Sequence, residues 1–253
     1  MLRPRIAANL GATARVMRNM ELHDLVLVAP EADPLDVEAR KLSTHGEEIL
    51  KRARAVADLS QAVEDCVLVA ATSAKTGGLF RRQSVGSPEQ IIPRLAEEMM
   101  RSPVALVFGP EATGLTDAEV TRCHYLIHIP TDPSYPTLNL AQSVGICLYE
   151  LRRAWLKQME KQGVGWVESS KPTTPGKRWV PKTPPTLLIQ ERMFADLRAA
   201  LEDIHFLYGP KADSLMHALR HLIGRAKPSE MEVDLLFGLA RQIRWYVEHH
   251  RES

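Results

Sequence analysis

Cysteine is scarce in this chain: Cys66, Cys123 and Cys147 are the three in 253 residues, each inside an apolar stretch and none in CxxC spacing. That excludes a disulfide framework or a thiolate metal site and reads as buried free thiols. No apolar run approaches the roughly 18 residues that span a bilayer. The first twenty residues carry Arg3, Arg5, Arg15 and Arg18 where a signal peptide would have its apolar core, so no membrane attachment and a cytoplasmic location are expected. There is no GxGxxG after a strand pattern and no GxxxxGK[ST], since Gly176 and Lys177 stand in a proline-rich stretch. This disfavours a dinucleotide-dependent dehydrogenase and a P-loop phosphotransferase. The nine histidines form no HExxH or related pattern, and no catalytic metal is expected. A net charge of +1 supplies no global attraction for a polyanion. Charge is nevertheless segregated: the four arginines precede the first acidic residue, Glu21, whereas 31–38 is acid-rich, leaving room for a local basic patch.

What is present is an α/β alternation. Leu25–Val28, Cys66–Ala70, Val104–Phe108 and Tyr125–Ile129 are continuously apolar, as strands of a parallel sheet covered on both faces should be. Helical patterns fall near 9–19, 36–42, 47–54 and 88–101, and Thr116 with Glu119 has capping-box spacing. A long helix is predicted over 138–161, with Leu140, Val144, Cys147, Leu148, Leu151 and Trp155 on its apolar stripe.

The pattern then breaks. Residues 161–186 read as a Pro/Gly-rich basic linker carrying Lys171, Lys177, Arg178 and Lys182. A domain over 1–160 and a small all-α domain over 187–253 therefore flank it. In the latter, Met193, Leu197, Leu201 and Ile204 mark one helix, and Leu215, Leu219, Leu222 and Ile223 a second. Ser229 and Glu232 cap a third that carries Leu235, Leu239 and Ile243. Lys211, Arg220, His221, Arg225, Lys227, Arg241 and Arg244 fit either solvated faces or an RNA-facing surface.

Chemistry is concentrated in four loops. They are 9–15 (NLGATAR), 72–75 (TSAK), 109–115 (GPEATGL) and 129–139 (IPTDPSYPTLN). They are read as following the apolar strands, at the carboxyl ends where open parallel sheets bind ligands. One glycine- or asparagine-bearing loop is ordinary turn chemistry, but the order and spacing of all four are distinctive.

On those residues the chain resembles the SpoU/TrmH branch of the SPOUT methyltransferases, and within it the TrmJ-like tRNA ribose 2′-O-methyltransferases. The resemblance spans about 3–156: motif one at Asn9–Arg15 continuing through Met17–Met20, motif two at Val104–Leu115, and motif three at Ile129–Leu140. The 187–253 region, ending in RQIRW at 241–245, is similar to the helical extension of such proteins. The resemblance implies a deep trefoil knot, which general rules of chain topology count as an exception. It also implies S-adenosyl-L-methionine as cofactor, held by Thr72, Ser73, Ala74, Gly109, Ile129, Pro136, Thr137 and Leu138. Apolar walls with exposed backbone polar groups suit such a ligand, and Gly109 allows close backbone approach.

By the same resemblance Asn9, Arg15, Glu111, Thr137 and Asn139 are the catalytic positions, with Arg3, Arg5, Arg18 and Lys75 as RNA contacts. A ribose hydroxyl must lose a proton to become an effective nucleophile. Guanidinium groups keep their protons in proteins, so gripping the phosphate beside the target ribose suits Arg15 better than acting as base. Arg15 is expected to come from the partner protomer of a homodimer, with phosphate or water receiving the proton. Glu111 is expected to order its loop by accepting backbone N–H bonds, and Asn139 to cap the long helix. The target implied is tRNA, at a pyrimidine ribose in the first position of the anticodon loop. Ribosomal RNA, or a catalytically silent RNA-binding role, are the alternatives.

The chain departs from the family in three respects. Only Met1 and Leu2 precede Arg3-Pro4 where a full central strand is expected, which points to a start upstream of Met1, with a sheet lacking one element as the alternative. Lys75 and Ala112 stand where arginine is common, and Thr137 where serine is common.

Overall fold

A computed structural model describes residues 1–75, 85–164, 185–226 and 228–250. They divide into two compact units, the first within Met1–Val63 and Leu68–Pro172, the second within Glu64–Val67 and Thr173–Ser253. The basic linker with Lys171, Lys177, Arg178 and Lys182, and Lys227, lie outside the described residues.

In the first unit strands and helices interleave. The strands are β1 (Val26–Val28), β2 (Arg54–Val56), β3 (Leu68–Thr72), β4 (Val85–Gly86), β5 (Val104–Val107) and β6 (Tyr125–Ile127). The helices are α1 (Ala7–Asn19), α2 (Val37–Ser43), α3 (Glu47–Lys51), α4 (Leu59–Val63), α5 (Pro88–Met99), α6 (Asp117–Val120) and α7 (Leu140–Val164). All pairings are parallel: β1 with β2, and a four-stranded sheet in the order β4-β6-β3-β5. α5 packs against the four-stranded sheet, and consecutive residues of its inner strands, Val69, Ala70, Ala71 and Ile127, are fully enclosed, which is why these runs are continuously apolar. β2 and β4 carry no such signal, being a half-exposed Arg-Ala-Val and a two-residue pairing.

The slot expected for a central strand is filled by residues 1–3. Leu2 bridges Val28 in parallel, its N–H donates to the Phe108 carbonyl at 2.9 Å, and the Arg3 N–H donates to the Val28 carbonyl at 2.8 Å. Three residues thus link the β1 and β5 edges, with Leu2 buried.

Because every strand is parallel, the segments leaving β3, β5 and β6 emerge on one side of the sheet. α7 buries Leu140, Val144, Cys147, Leu148 and Leu151, the stripe its spacing predicts.

The second unit contains α8 (Leu187–Asp203), α9 (Ala212–Ala226) and α10 (Glu230–His250). Met193, Phe194, Leu197, Leu207, Met216 and Val233 form its core. Here the helices exist as predicted, but two face the core in a different phase. Leu215 and Leu222 of α9 are exposed while Met216 is buried; Leu235 and Leu239 of α10 are exposed while Val233 and Ala240 are buried. Both helices carry apolar residues on more than one face, and packing into the core around Met193, Phe194 and Leu197 selects between them. Two polar positions also differ from an RNA-facing surface. His221 is buried against His217, and Arg220 pairs with both Glu191 oxygens at 2.6 and 2.7 Å while lying 4.6 Å from the Phe194 ring. Lys211, Arg225, Arg241 and Arg244 are exposed, Arg244 lying 3.7 Å from Asp203.

Candidate active site

The segments after β3, β5 and β6 enclose a cavity of about 320 Å³, within the range of small-molecule sites. Thr72, Ser73, Ala74, Gly109, Ile129, Pro136, Thr137 and Leu138, the positions expected to hold a cofactor, all line it. Ile127, Leu115 and Leu140 add apolar wall, and Thr113, Gly114 and Ser143 add small or polar groups. These six went unassigned in the sequence. Ile127 could have been inferred from alternation along β6 two residues before Ile129, and Leu140 and Ser143 from the first turn of α7, whereas the closeness of Leu115 to Gly109 has no local signal.

Each loop is held by its own chemistry. The Ser73 hydroxyl donates to the Lys75 carbonyl at 2.9 Å and accepts from the Lys75 N–H at 3.0 Å, bending the first loop back on itself. In the 109–115 loop Gly114 has φ +67°, a conformation that disfavours a side chain, and its N–H donates to the Pro110 carbonyl at 2.9 Å. The loop ends meet at Gly109: a Cβ there would lie 2.8 Å from both Gly114 C and Leu115 N. In the third loop the Thr131 hydroxyl donates to the Pro136 carbonyl at 3.1 Å. The Asp132 carboxylate accepts from the Ser134 N–H and hydroxyl, both at 2.8 Å, which holds it below the usual carboxylate range.

Beside the cavity runs a chain of side-chain amides. Asn139 Nδ2 donates to Asn9 Oδ1 at 3.0 Å, and Asn9 Nδ2 donates to Glu111 Oε1 at 2.8 Å. Asn139 Oδ1 caps α7 by accepting from Ala141 N at 2.9 Å and Gln142 N at 3.4 Å, as its position predicts. Glu111 Oε2 accepts from the Arg5 N–H at 3.2 Å. The backbone amide held by Glu111 therefore belongs to the N-terminal segment rather than to its own loop. Three residues drawn from positions up to 130 apart in sequence are thereby fixed in one orientation, and Glu111 is the link that also lines the cavity.

The arginines separate into two groups. Arg15 and Arg18 are exposed on α1, outside the cavity lining of their own chain and without an ion-pair partner among the described residues. Arg3 and Arg5 are engaged within the fold: Arg3 binds both oxygens of Glu119, and Arg5 pairs with Glu31 at 2.9 Å. Both were expected, with Arg18 and Lys75, as RNA contacts, and both are already engaged by a carboxylate of their own chain. Lys75, expected as an RNA contact, lines the cavity mouth. Among the described residues no group of three or more His, Cys, Asp or Glu is placed to hold a metal, and no helix is long and apolar enough to cross a membrane.

Comparison with known proteins places this site in context. Residues 1–149 match the family described as SpoU rRNA Methylase family, and residues 190–252 match the family described as tRNA methyltransferase TrmJ, C-terminal domain. The tRNA (cytidine/uridine-2'-O-)-methyltransferase TrmJ of Yersinia pestis (strain Pestoides F) is 34% identical over 235 residues, 93% of this chain and 86% of the relative. The protein of the same name from Photorhabdus laumondii is 33% identical over 238 residues, 94% of this chain and 92% of the relative. Among solved structures, TrmJ from Z. mobilis ZM4 matches with a TM-score of 0.75 at 27% identity, covering 96% of each chain. A probable methylase family protein from Haemophilus influenzae Rd KW20 matches with a TM-score of 0.59 at 29% identity, covering 98% of this chain and 95% of that one.

Proposed function

The chain belongs to the SpoU rRNA Methylase family, and from that membership we propose that it is a cytoplasmic S-adenosylmethionine-dependent tRNA ribose 2′-O-methyltransferase. Its target in this reading is a pyrimidine ribose at the first position of the anticodon loop, in keeping with the cytidine/uridine 2'-O-specificity in its relatives' names. The observation that carries the reading is the convergence of the 72–75, 109–115 and 129–138 loops on one cavity. The cofactor fits what is there: Leu115, Ile127, Ile129, Leu138 and Leu140 offer apolar contact, the loop backbones offer hydrogen bonds, and Gly109 leaves no bulk in the wall. When bound, the cofactor supplies an electrophilic methyl group on a sulfonium sulfur.

The protein's own task is to hold the ribose hydroxyl in line and let its proton leave. Thr137 and Ser143 line the cavity, the Ser143 hydroxyl donating to the Asn139 carbonyl at 3.2 Å, and Glu111 brings a carboxylate already committed to Asn9 and Arg5, which suits orientation better than proton abstraction. Arg15 lies outside its own cavity and without an ion-pair partner among the described residues, as a residue serving a second copy would. Its planar fork would grip the phosphate next to the target ribose, with that phosphate or water taking the proton. A homodimer follows from this assignment. It is supported by α7, which exposes Ile146, Tyr149, Leu156 and Met159 along one side. The family's trefoil knot belongs to the same proposal; β6, late in the chain, lies between the earlier β4 and β3.

The test is transfer of labelled methyl from S-adenosylmethionine to bulk tRNA and, separately, to ribosomal RNA, with nuclease mapping of the product. Label on an anticodon-loop ribose supports the proposal. Label on ribosomal RNA alone moves the target, and label on neither leaves an RNA-binding protein.

A further inference from the structure

At the crest of the 109–115 loop Ala112, Thr113 and Gly114 are exposed, while Pro110 and Leu115 are buried at its two ends. What fixes it lies largely outside it. The segment 2–9 meets the region in order, Leu2 N–H on the Phe108 carbonyl at the loop entry, then Arg5 N–H and Asn9 Nδ2 on Glu111 within the loop. The third attachment is at the exit. Thr116 directly follows Leu115 and caps α6, its hydroxyl accepting from Glu119 N at 3.3 Å while its own N–H donates to Glu119 Oε2 at 2.8 Å. Arg3 grips that same carboxylate with both arms of its guanidinium, at 2.5 and 3.2 Å.

Two features suggest that this contact does more than fasten one surface residue to another. The pair is part-buried, with side chains 34% and 15% exposed. Arg3 also adopts φ +42°, a left-handed conformation that a non-glycine residue holds only when its surroundings require it. In that conformation its N–H stays bonded to Val28 while its side chain reaches Glu119.

We infer that Arg3 is a positioning residue for the cofactor site, acting through Glu119 and the Thr116 cap to hold the exit of the 109–115 loop closed against Gly109. Its assignment as an RNA contact is replaced by this one. The inference rests on the methyltransferase reading for the identity of the ligand, but not for the effect on the loop. Loss of the exit tether loosens the wall formed by Gly114 and Leu115 and weakens cofactor binding without touching the bound molecule.

The experiment compares wild type, Arg3→Met, Arg3→Lys, Glu119→Gln and the double variant Arg3→Met/Glu119→Gln by calorimetric binding of S-adenosylmethionine and by hydrogen exchange of peptides spanning 109–116. Arg40→Met, which breaks the exposed Arg40–Glu47 pair at 2.9 Å elsewhere in the same unit, is the control. Arg3→Met should raise the dissociation constant about tenfold, the effect of about 1.4 kcal/mol, and speed exchange of the Gly114 amide. Arg3→Lys should recover part of both, since an ammonium can hold one of the two oxygens. Glutamine in place of Glu119 keeps the cap but not the charge, and the double variant should be no worse than Arg3→Met alone. Wild-type exchange in 109–116 for Arg3→Met overturns the inference, as does a loss of affinity no greater than that of Arg40→Met. If wild type itself takes up no S-adenosylmethionine, the methyltransferase reading falls, and loop exchange still decides the role of Arg3.

Discussion

Replacing Asn139 by aspartate tests the amide chain beside the cavity without disturbing the helix it caps. Aspartate is as good an N-cap as asparagine, so the bonds from Ala141 and Gln142 to the side-chain oxygen persist. What is lost is the donor. Glu111 accepts only, so Asn9 must give it Nδ2 and present Oδ1 to Asn139. In Asn139→Asp two acceptors face each other 3.0 Å apart, and flipping the Asn9 amide merely moves the conflict to Glu111, 2.8 Å away on the other side. Asn9 is 5% exposed, so water cannot readily repair the break.

One uncompensated buried acceptor costs about 1–3 kcal/mol. At about 2–4 °C per kcal/mol for a chain of this size, the melting temperature should fall by about 2–12 °C. The second arm of the test is a rescue. In Asn139→Asp/Glu111→Gln the whole chain can reverse: the introduced glutamine amide donates to Asn9 Oδ1 and Asn9 Nδ2 donates to the introduced aspartate, while the glutamine oxygen still accepts from the Arg5 N–H. The double variant should therefore be more stable than Asn139→Asp alone, read by thermal and urea unfolding. Simple additivity of the two single losses would refute the assigned polarity of the chain.

Four further outcomes follow from the same geometry. Gly109→Ala forces a methyl group against backbone at 2.8 Å, so the loop must open, and S-adenosylmethionine affinity should fall at least about tenfold with the fold intact; wild-type affinity by calorimetry would contradict the packing. Burial pushes the Cys123 and Cys147 thiols up to about 12, so neither should react with iodoacetamide at pH 8 until urea unfolds the chain, and labelling of the native protein at either residue would count against the buried assignment. Burial raises the Glu119 carboxyl, but hydrogen bonds from Arg3 and Thr116 outweigh it and leave it below the usual range. Its contribution to stability is therefore present above the ordinary carboxylate value of about 4.3 and lost as pH falls below that toward the folded-state value; Glu119→Gln should flatten this acid limb of the melting curve, and an unchanged limb would exclude Glu119 as its source. Finally, if Arg15 serves the partner's site, mixing Arg15→Ala with Gly109→Ala under subunit exchange should restore roughly a quarter of wild-type methyl transfer, because about half the dimers are mixed and each has one intact site. No recovery on mixing would assign Arg15 to its own protomer.

The sequence alone determined whatever depends on local periodicity and on loop composition. β3 and β6 are visible because strands covered on both faces must be apolar throughout, β5 because its run is equally apolar although Val104–Leu106 are half-buried at the sheet edge, and α7 because one stripe of a long helix must meet the core. The convergence of the 72–75, 109–115 and 129–139 segments is legible for a related reason, since a parallel sheet delivers the segments after its strands to one edge, whereas the eight residues expected to hold a cofactor came from the family resemblance. Tertiary structure decided the rest, since each remaining choice depends on residues far apart in the chain. β2 and β4 are too short and too exposed to signal themselves, and pairing alone makes them strands. α9 and α10 have more than one apolar face, and only the packed partner chooses which is buried. The same holds for charge. Nothing in the composition of residues 1–9 separates an arginine that binds Glu119 across 116 residues from one left exposed, because a guanidinium is equally at home in water and against a carboxylate until the fold brings that carboxylate within reach.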